Sequence, residues 1–168
     1  MQKRLFVWLL ITVGFVQAHA QSTDKTPPYL KDSTIIDFTI TLTDSTDFTK
    51  SMIPSGRPVV IVYFSPDCSH CQLTAHEFEE KKSAFPNVFF VWVSYLAMDK
   101  IKSFADEYHM TGNENIRIGR DANYTIPGYY KVKYTPFIAV YNTAGKLLQT
   151  YDGGTEPETV INLLHTTP

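Results

Sequence analysis

The chain has 168 residues, 43% hydrophobic, 19% charged and 14% aromatic, with a formal net charge of −2. That length suits one domain of ordinary size, and the apolar share is enough for a buried core, which excludes wholesale disorder. The near-neutral, slightly acidic balance argues against a nucleic-acid partner.

Met1-Gln2-Lys3-Arg4 is a short basic start, residues 5–16 are an apolar run, and Ala18-His19-Ala20 follows with a small-x-small pattern. This reads as a secretory signal peptide over residues 1–20, cleaved after Ala20 and directing the protein to the periplasm or the exterior. A retained anchor is the alternative, but the run is too short to cross a ~30 Å hydrocarbon core as a helix. Residues 21–34 are polar, contain Pro27-Pro28 and read as an extended leader, so the folded domain is expected over 35–168.

Ile36, Phe38, Ile40 and Leu42 alternate with polar residues, the period-two pattern of a half-buried strand. Asp44-Ser45-Thr46-Asp47 is a turn, and residues 48–53 read as a short helical turn ended by Pro54-Ser55-Gly56. Residues 59–64 are apolar throughout, as in a strand covered on two sides, and Ser65-Pro66-Asp67 breaks it. A helix follows over 69–84, with Leu73, Ala75 and Phe78 on its buried face and Pro86 closing it. Residues 88–93 are a second buried strand, with Phe89, Phe90 and Trp92 as core. Ile101, Phe104, Ala105 and Tyr108 mark a second amphipathic helix. Residues 111–128 read as an irregular insertion around Ile116-Arg117-Ile118. A hairpin of strands 137–141 and 146–151 turns at Asn142-Thr143-Ala144-Gly145. Thr155 and Glu158, with Pro157, open a last helix on Val160, Ile161, Leu163 and Leu164.

The two cysteines form Cys68-Ser69-His70-Cys71. One C-x-x-C closes a tiny loop and removes little chain entropy, so the spacing suits chemistry better than stability. Directly after a buried strand, it places Cys68 at a helix start. There, unpaired backbone N–H groups and the positive dipole end favour a thiolate, the species that attacks disulfides. Cys68 is thus the candidate nucleophile and Cys71, one helical turn on, the resolving thiol. His70 adds an imidazole that can carry positive charge near neutral pH and favours the reduced form, while Asp67 opposes it. Zinc at Cys68, Cys71 and His76 lacks a fourth ligand, and covalent haem needs His where Gln72 stands. His76, His109 and His165 read as surface residues, and no cofactor is expected. Tyr129, Tyr130 and Tyr134 read as packing beneath the site, or one of them as lining a peptide groove.

Residues 59–72, with Tyr134-Thr135-Pro136-Phe137 downstream, resemble the thioredoxin superfamily, and more narrowly the exported thioredoxin-like proteins of the TlpA/ResA kind. The resemblance covers roughly residues 35–165. It implies an α/β thioredoxin fold, a central mixed sheet flanked by helices with an N-terminal strand extension. It places a cis Pro136 opposite the cysteines, with Thr135-Pro136 as the substrate-binding segment. The expectation is a monomeric oxidoreductase acting on protein thiols and disulfides; the resemblance to exported reductants favours reduction, recharged by a membrane electron donor, over oxidation, with both directions left open. Two positions depart from the pattern. Val62 stands where thioredoxins carry a buried acid, with Glu107, Glu114 and Asp121 as possible substitutes, and Phe64-Ser65-Pro66-Asp67 replaces the usual lead-in. A peroxiredoxin-like peroxidase is the other enzyme class, although Ser65 and Ile61 stand where that family has Thr and Pro. A non-enzymatic interaction module on the same fold is the third reading.

Overall fold

The computed structural model describes residues 26–166. The expected signal peptide, its cleavage point and residues 21–25 of the leader lie outside the described residues. Among the described residues, no helix is long and apolar enough to cross a membrane.

Helix α1 (Pro28–Lys31) is a single turn, followed by the hairpin β1 (Thr39–Leu42) and β2 (Asp47–Thr49). Then come β3 (Val59–Tyr63), α2 (Ser69–Glu80), β4 (Phe89–Ser94), α3 (Met98–Glu107), β5 (Ile116–Arg120) and α4 (Thr125–Tyr130). Strands β6 (Phe137–Tyr141) and β7 (Leu147–Asp152) and helix α5 (Pro157–Thr166) follow. The described strands form a seven-stranded mixed sheet in the order β2-β1-β5-β4-β3-β6-β7. Strands β3, β4 and β5 run parallel, while β6 is antiparallel to β3.

Every residue of β3, β4 and β6 is buried, because helices cover one face of these strands and helices and loops the other. Alternation along β3 splits the core. Val60, Val62 and Phe64 join Ala75, Phe78, Trp92 and Phe104 beneath α2 and α3. Val59, Ile61 and Tyr63 join Phe89, Val91, Ile126 and Tyr130 on the opposite face.

Four expectations differ from this. The leader is not simply extended: α1 sets Tyr29 against the rings of Tyr129 and Tyr130, and the Leu147 N–H donates to the Ser33 carbonyl at 2.7 Å. The helical turn placed at 48–53 begins as β2, because Phe48 is drawn into the core against Phe38 and Phe89, and only Lys50–Met52 coil. The insertion at 111–128 holds an ordered strand, β5, and the start of α4, with Ile118 and Ile126 as their buried anchors. Leu73 is not buried but 56% exposed; the inward stripe of α2 is Cys71, Thr74, Ala75 and Phe78, one turn apart on a single face.

Candidate active site

Strand β3 ends at the sheet edge where residues 64–67 turn the chain into α2. The Phe64 N–H donates to the Val93 carbonyl at 2.9 Å, which holds the chain on the sheet for one more residue. The Cys68 N–H then donates to the Ser65 carbonyl at 3.0 Å, and the Gln72 side chain donates to the Pro66 carbonyl at 2.9 Å. Cys68 therefore takes the N-cap position of α2, with φ −96° and ψ 119°.

Both cysteines are free thiols, and their surroundings differ. Cys68 is half-buried and Cys71 completely buried beneath α2. The Cys68 thiol donates to the Thr135 carbonyl at 3.7 Å, and the Ser65 N–H donates to Cys71 Sγ at 3.4 Å. For Cys68, burial is the largest single influence and pushes the pKa up. It is outweighed by hydrogen bonds from the Cys71 backbone and thiol, from the Thr135 side chain and from the His70 N–H, so the pKa is lowered. For Cys71, burial dominates and pushes the thiol up to about 12. The more accessible sulfur is the easier of the two to ionise, and the other holds its proton inside the core.

The segment opposite Cys68 is built from the far end of the chain. The Thr135-Pro136 peptide is cis, as expected, and Pro136 is buried. Asp152, at the end of β7, accepts from the Tyr134 N–H at 2.9 Å and the Lys133 N–H at 3.3 Å. The Gly153 N–H donates to the Pro136 carbonyl at 3.0 Å. Gly154 must lack a side chain: a Cβ there would lie 2.9 Å from Pro136 Cγ, and its φ of +92° disfavours other residues.

The structure thus brings Cys68, Cys71, Thr135 and Pro136 together. His70 is exposed on the first turn of α2, and its backbone N–H favours the Cys68 thiolate. Asp67 forms an ion pair with Lys100 from α3, and its carboxylate raises the Lys100 pKa through their hydrogen bond. None of the three candidate acids replaces the one missing at Val62. Asp121 is fully buried on the other face of the sheet, accepting from the Ile126 N–H at 2.8 Å and the Asn123 N–H at 3.2 Å. Glu107 is exposed and borders an outer cleft with Asp67, Asp99 and Lys100, and Glu114 is exposed. Tyr130 packs in the core as expected, but Tyr134 is 68% exposed. Lys100, Asp152 and Gly154 escaped the sequence reading, and only the Asp152-Gly153-Gly154 turn gave any signal of them. Among the described residues, no group of three or more His, Cys, Asp or Glu is placed to hold a metal ion.

Residues 48–168 match the family model described as Thioredoxin-like domain. Protein disulfide isomerase-like 1-1 of Arabidopsis thaliana is 27% identical over 128 residues, which cover 76% of this chain and 21% of that protein. The chain therefore spans about a fifth of the length of this curated relative. A secreted Mycobacterium tuberculosis disulfide oxidoreductase homologous to E. coli DsbE superposes with a TM-score of 0.64 at 22% identity, covering 77% of this chain and 95% of its own. The peroxidoxin BcpB of the same organism superposes at 0.69 with 18% identity, covering 80% and 96%. At these identities the two structures share the fold with this chain.

Proposed function

Since the chain belongs to the thioredoxin-like domain family, we propose that it is an exported thiol-disulfide oxidoreductase whose redox pair is Cys68 and Cys71. The observation that carries this reading is the asymmetry of the pair. Cys68, half-exposed at the start of α2, has a lowered pKa, whereas buried Cys71 is pushed up to about 12. The Cys68 thiolate attacks one sulfur of a substrate disulfide, forming a mixed disulfide and expelling the other substrate sulfur as a thiolate. Cys71 then gives up its proton and attacks Cys68 Sγ. The mixed disulfide breaks, the second substrate thiolate leaves, and an intramolecular Cys68–Cys71 disulfide remains. Two electrons pass from protein to substrate, whose two thiolates take up two protons.

Thr135 and Pro136 form the substrate-binding side of this site, with the Thr135 carbonyl beside the attacking sulfur. His70 contributes its backbone N–H to the thiolate. The physiological direction is reduction. After the opposing effect of burial, the groups that most favour the Cys68 thiolate are neutral hydrogen-bond donors, not a cation. An equilibrium potential against glutathione below about −200 mV supports this direction, and a value near the −120 mV of DsbA contradicts it. A monomer acting on protein disulfides outside the cytoplasm, residues 35–168 serving as the working domain after cleavage at Ala20, would be recharged by a membrane electron donor.

Dithiothreitol-linked insulin reduction tests the reading. Wild-type protein should accelerate precipitation of the insulin B chain, Cys68→Ser should abolish the effect, and Cys71→Ser should accumulate a mixed disulfide. Acceleration that survives in Cys68→Ser contradicts the assignment. Inactivity of wild-type protein toward insulin, combined with consumption of hydrogen peroxide, favours the peroxidase.

A further inference from the structure

Strands β3, β4 and β5 are parallel, so their C-terminal ends meet at one edge of the sheet. Strand β6 is antiparallel to β3, with Phe137 opposite Tyr63, so residues 134–136 enter from that same edge. The loop carrying Cys68 leaves β3 there. Tyr95 directly follows β4, and Tyr124 lies just beyond β5. The Tyr95 and Tyr124 rings pack against each other, with centroids 5.1 Å apart and planes tilted by 32°. Tyr95 also lies close enough to Lys100 to influence its charge, and Lys100 holds Asp67, the residue before Cys68.

Exposed aromatic rings are costly to leave in water, and this pair is 37% and 54% exposed. Both residues are nevertheless fixed in place. Arg120 Nε donates to the Tyr95 carbonyl at 3.1 Å. Tyr124 sits in the left-handed region, with φ 55° and ψ 31°, an uncommon conformation for a bulky residue. Its loop is pinned by the buried Asp121 carboxylate, which receives the Asn123 and Ile126 N–H groups. A buried carboxylate that locks a left-handed tyrosine into solvent has the character of a preorganised contact surface. Rigid aromatic side chains lose little conformational freedom when they are covered.

We propose that the Tyr95–Tyr124 pair is the specificity wall of the redox site. It receives an aromatic side chain next to the disulfide of a protein substrate bound in extended form between this wall and Tyr134-Thr135. The inference rests on Cys68 being the attacking thiol and adds which disulfides it selects. In the strand order β5-β4-β3-β6 the pair follows β4 and β5 on one side of β3, and Thr135 precedes β6 on the other, so a chain laid along this edge across Cys68 passes both. Tyr134, just before β6 on the other side of β3, is 68% exposed.

The test uses two synthetic peptides, each with one intramolecular disulfide, differing only in Phe or Ser beside one cysteine. Single-turnover reduction by prereduced protein gives the ratio of rate constants, and 5,5′-dithiobis(2-nitrobenzoic acid) serves as a small disulfide without a flanking side chain. Wild-type protein should favour the Phe peptide about 10-fold, the discrimination expected of one apolar contact. The ratio should fall to near one in Tyr95→Ser/Tyr124→Asn, where Asn tolerates the left-handed backbone. It should persist in Tyr95→Phe/Tyr124→Phe, and in Met52→Ser, which removes an exposed apolar side chain near the β1–β2 hairpin. Equal rates for the two peptides in wild-type protein, or a full preference in Tyr95→Ser/Tyr124→Asn, overturn the inference while leaving the oxidoreductase reading intact. Inertness toward all three disulfides overturns both.

Discussion

Replacing Gly154 by alanine probes the support behind Pro136 and the Thr135 carbonyl beside Cys68. The new Cβ would lie 2.9 Å from Pro136 Cγ, 3.6 Å from Pro136 Cδ and 3.7 Å from Thr74 Oγ1, at a φ of +92°. The backbone conformation alone costs about 1–3 kcal/mol for a residue with a side chain, and the overpacking about as much again. Gly153→Ala is the matched control: its φ is +100°, but nothing lies within 4 Å of the Cβ it would acquire. It carries the backbone cost without the collision. At a urea m-value of about 1–3 kcal/mol/M, both variants should unfold at lower urea, and Gly154→Ala lower than Gly153→Ala by roughly 1 M. A domain stable by about 5–15 kcal/mol tolerates either loss, so both should remain folded in buffer. Their activities should part. Relief of the collision pushes Pro136 away, and with it the Thr135 carbonyl that lies 3.7 Å from Cys68 Sγ. A misplacement of about 1 Å near reacting atoms costs on the order of 100-fold in rate. Insulin reduction should therefore fall at least tenfold in Gly154→Ala and stay near wild type in Gly153→Ala. Equal midpoints and equal activities in the two variants would refute the argument that Gly154 is there to make room for Pro136.

Gly119→Ala should destabilise the sheet by about 1–3 kcal/mol in urea titrations. Its Cβ would stand 2.5 Å from the Thr41 carbonyl oxygen, backbone that cannot swing aside, and an unchanged midpoint would contradict that close approach. Reduced protein should lose stability as pH rises from about 9 towards 12. Cys71 ionises only near 12 in the fold but near 8.5 in the unfolded chain, so in that window the unfolded state binds fewer protons. The loss approaches about 1.4 kcal/mol per pH unit. It should be shallower by that slope in Cys71→Ala, and identical slopes in the two proteins would show that Cys71 is not held protonated by burial.

The segments that carry the site were legible because each rests on a strong local signal. Residues 59–64 are apolar on both faces, Ser65-Pro66-Asp67 interrupts them, and the first cysteine follows where a helix can begin. The hairpin of β6 and β7 and the Thr135-Pro136 entry to β6 are equally local. Strand β5 was hidden because Arg117 and Gly119 resemble loop residues. The Arg117 guanidinium lies over the Phe48 and Phe89 rings at 6.0 and 5.4 Å, and Gly119 is needed where β1 comes close. Helix α4 starts from a left-handed tyrosine and contains Pro127-Gly128, so it reads as a turn until Ile126 and Tyr130 are seen in the core. Leu73 was misplaced by one position because α2 has a weakly apolar inner stripe, completed by Cys71 and Thr74 rather than by its single leucine. Lys100 and Asp152 reach the site across the fold, on Asp67 and on the Lys133–Tyr134 backbone, and no local pattern announces such contacts.

The division of labour between the two thiols is tested most directly by alkylation of the reduced protein with iodoacetamide across pH, with the modified cysteine located by mass spectrometry. Cys68 should be labelled first and alone, with an apparent pKa below that of an ordinary thiol, while Cys71 stays unlabelled until the pH nears 12 or the protein unfolds. Labelling of Cys71 as fast as Cys68 at pH 8, or a Cys68 pKa at or above the ordinary value of about 8.5, would contradict Cys68 as the attacking thiol.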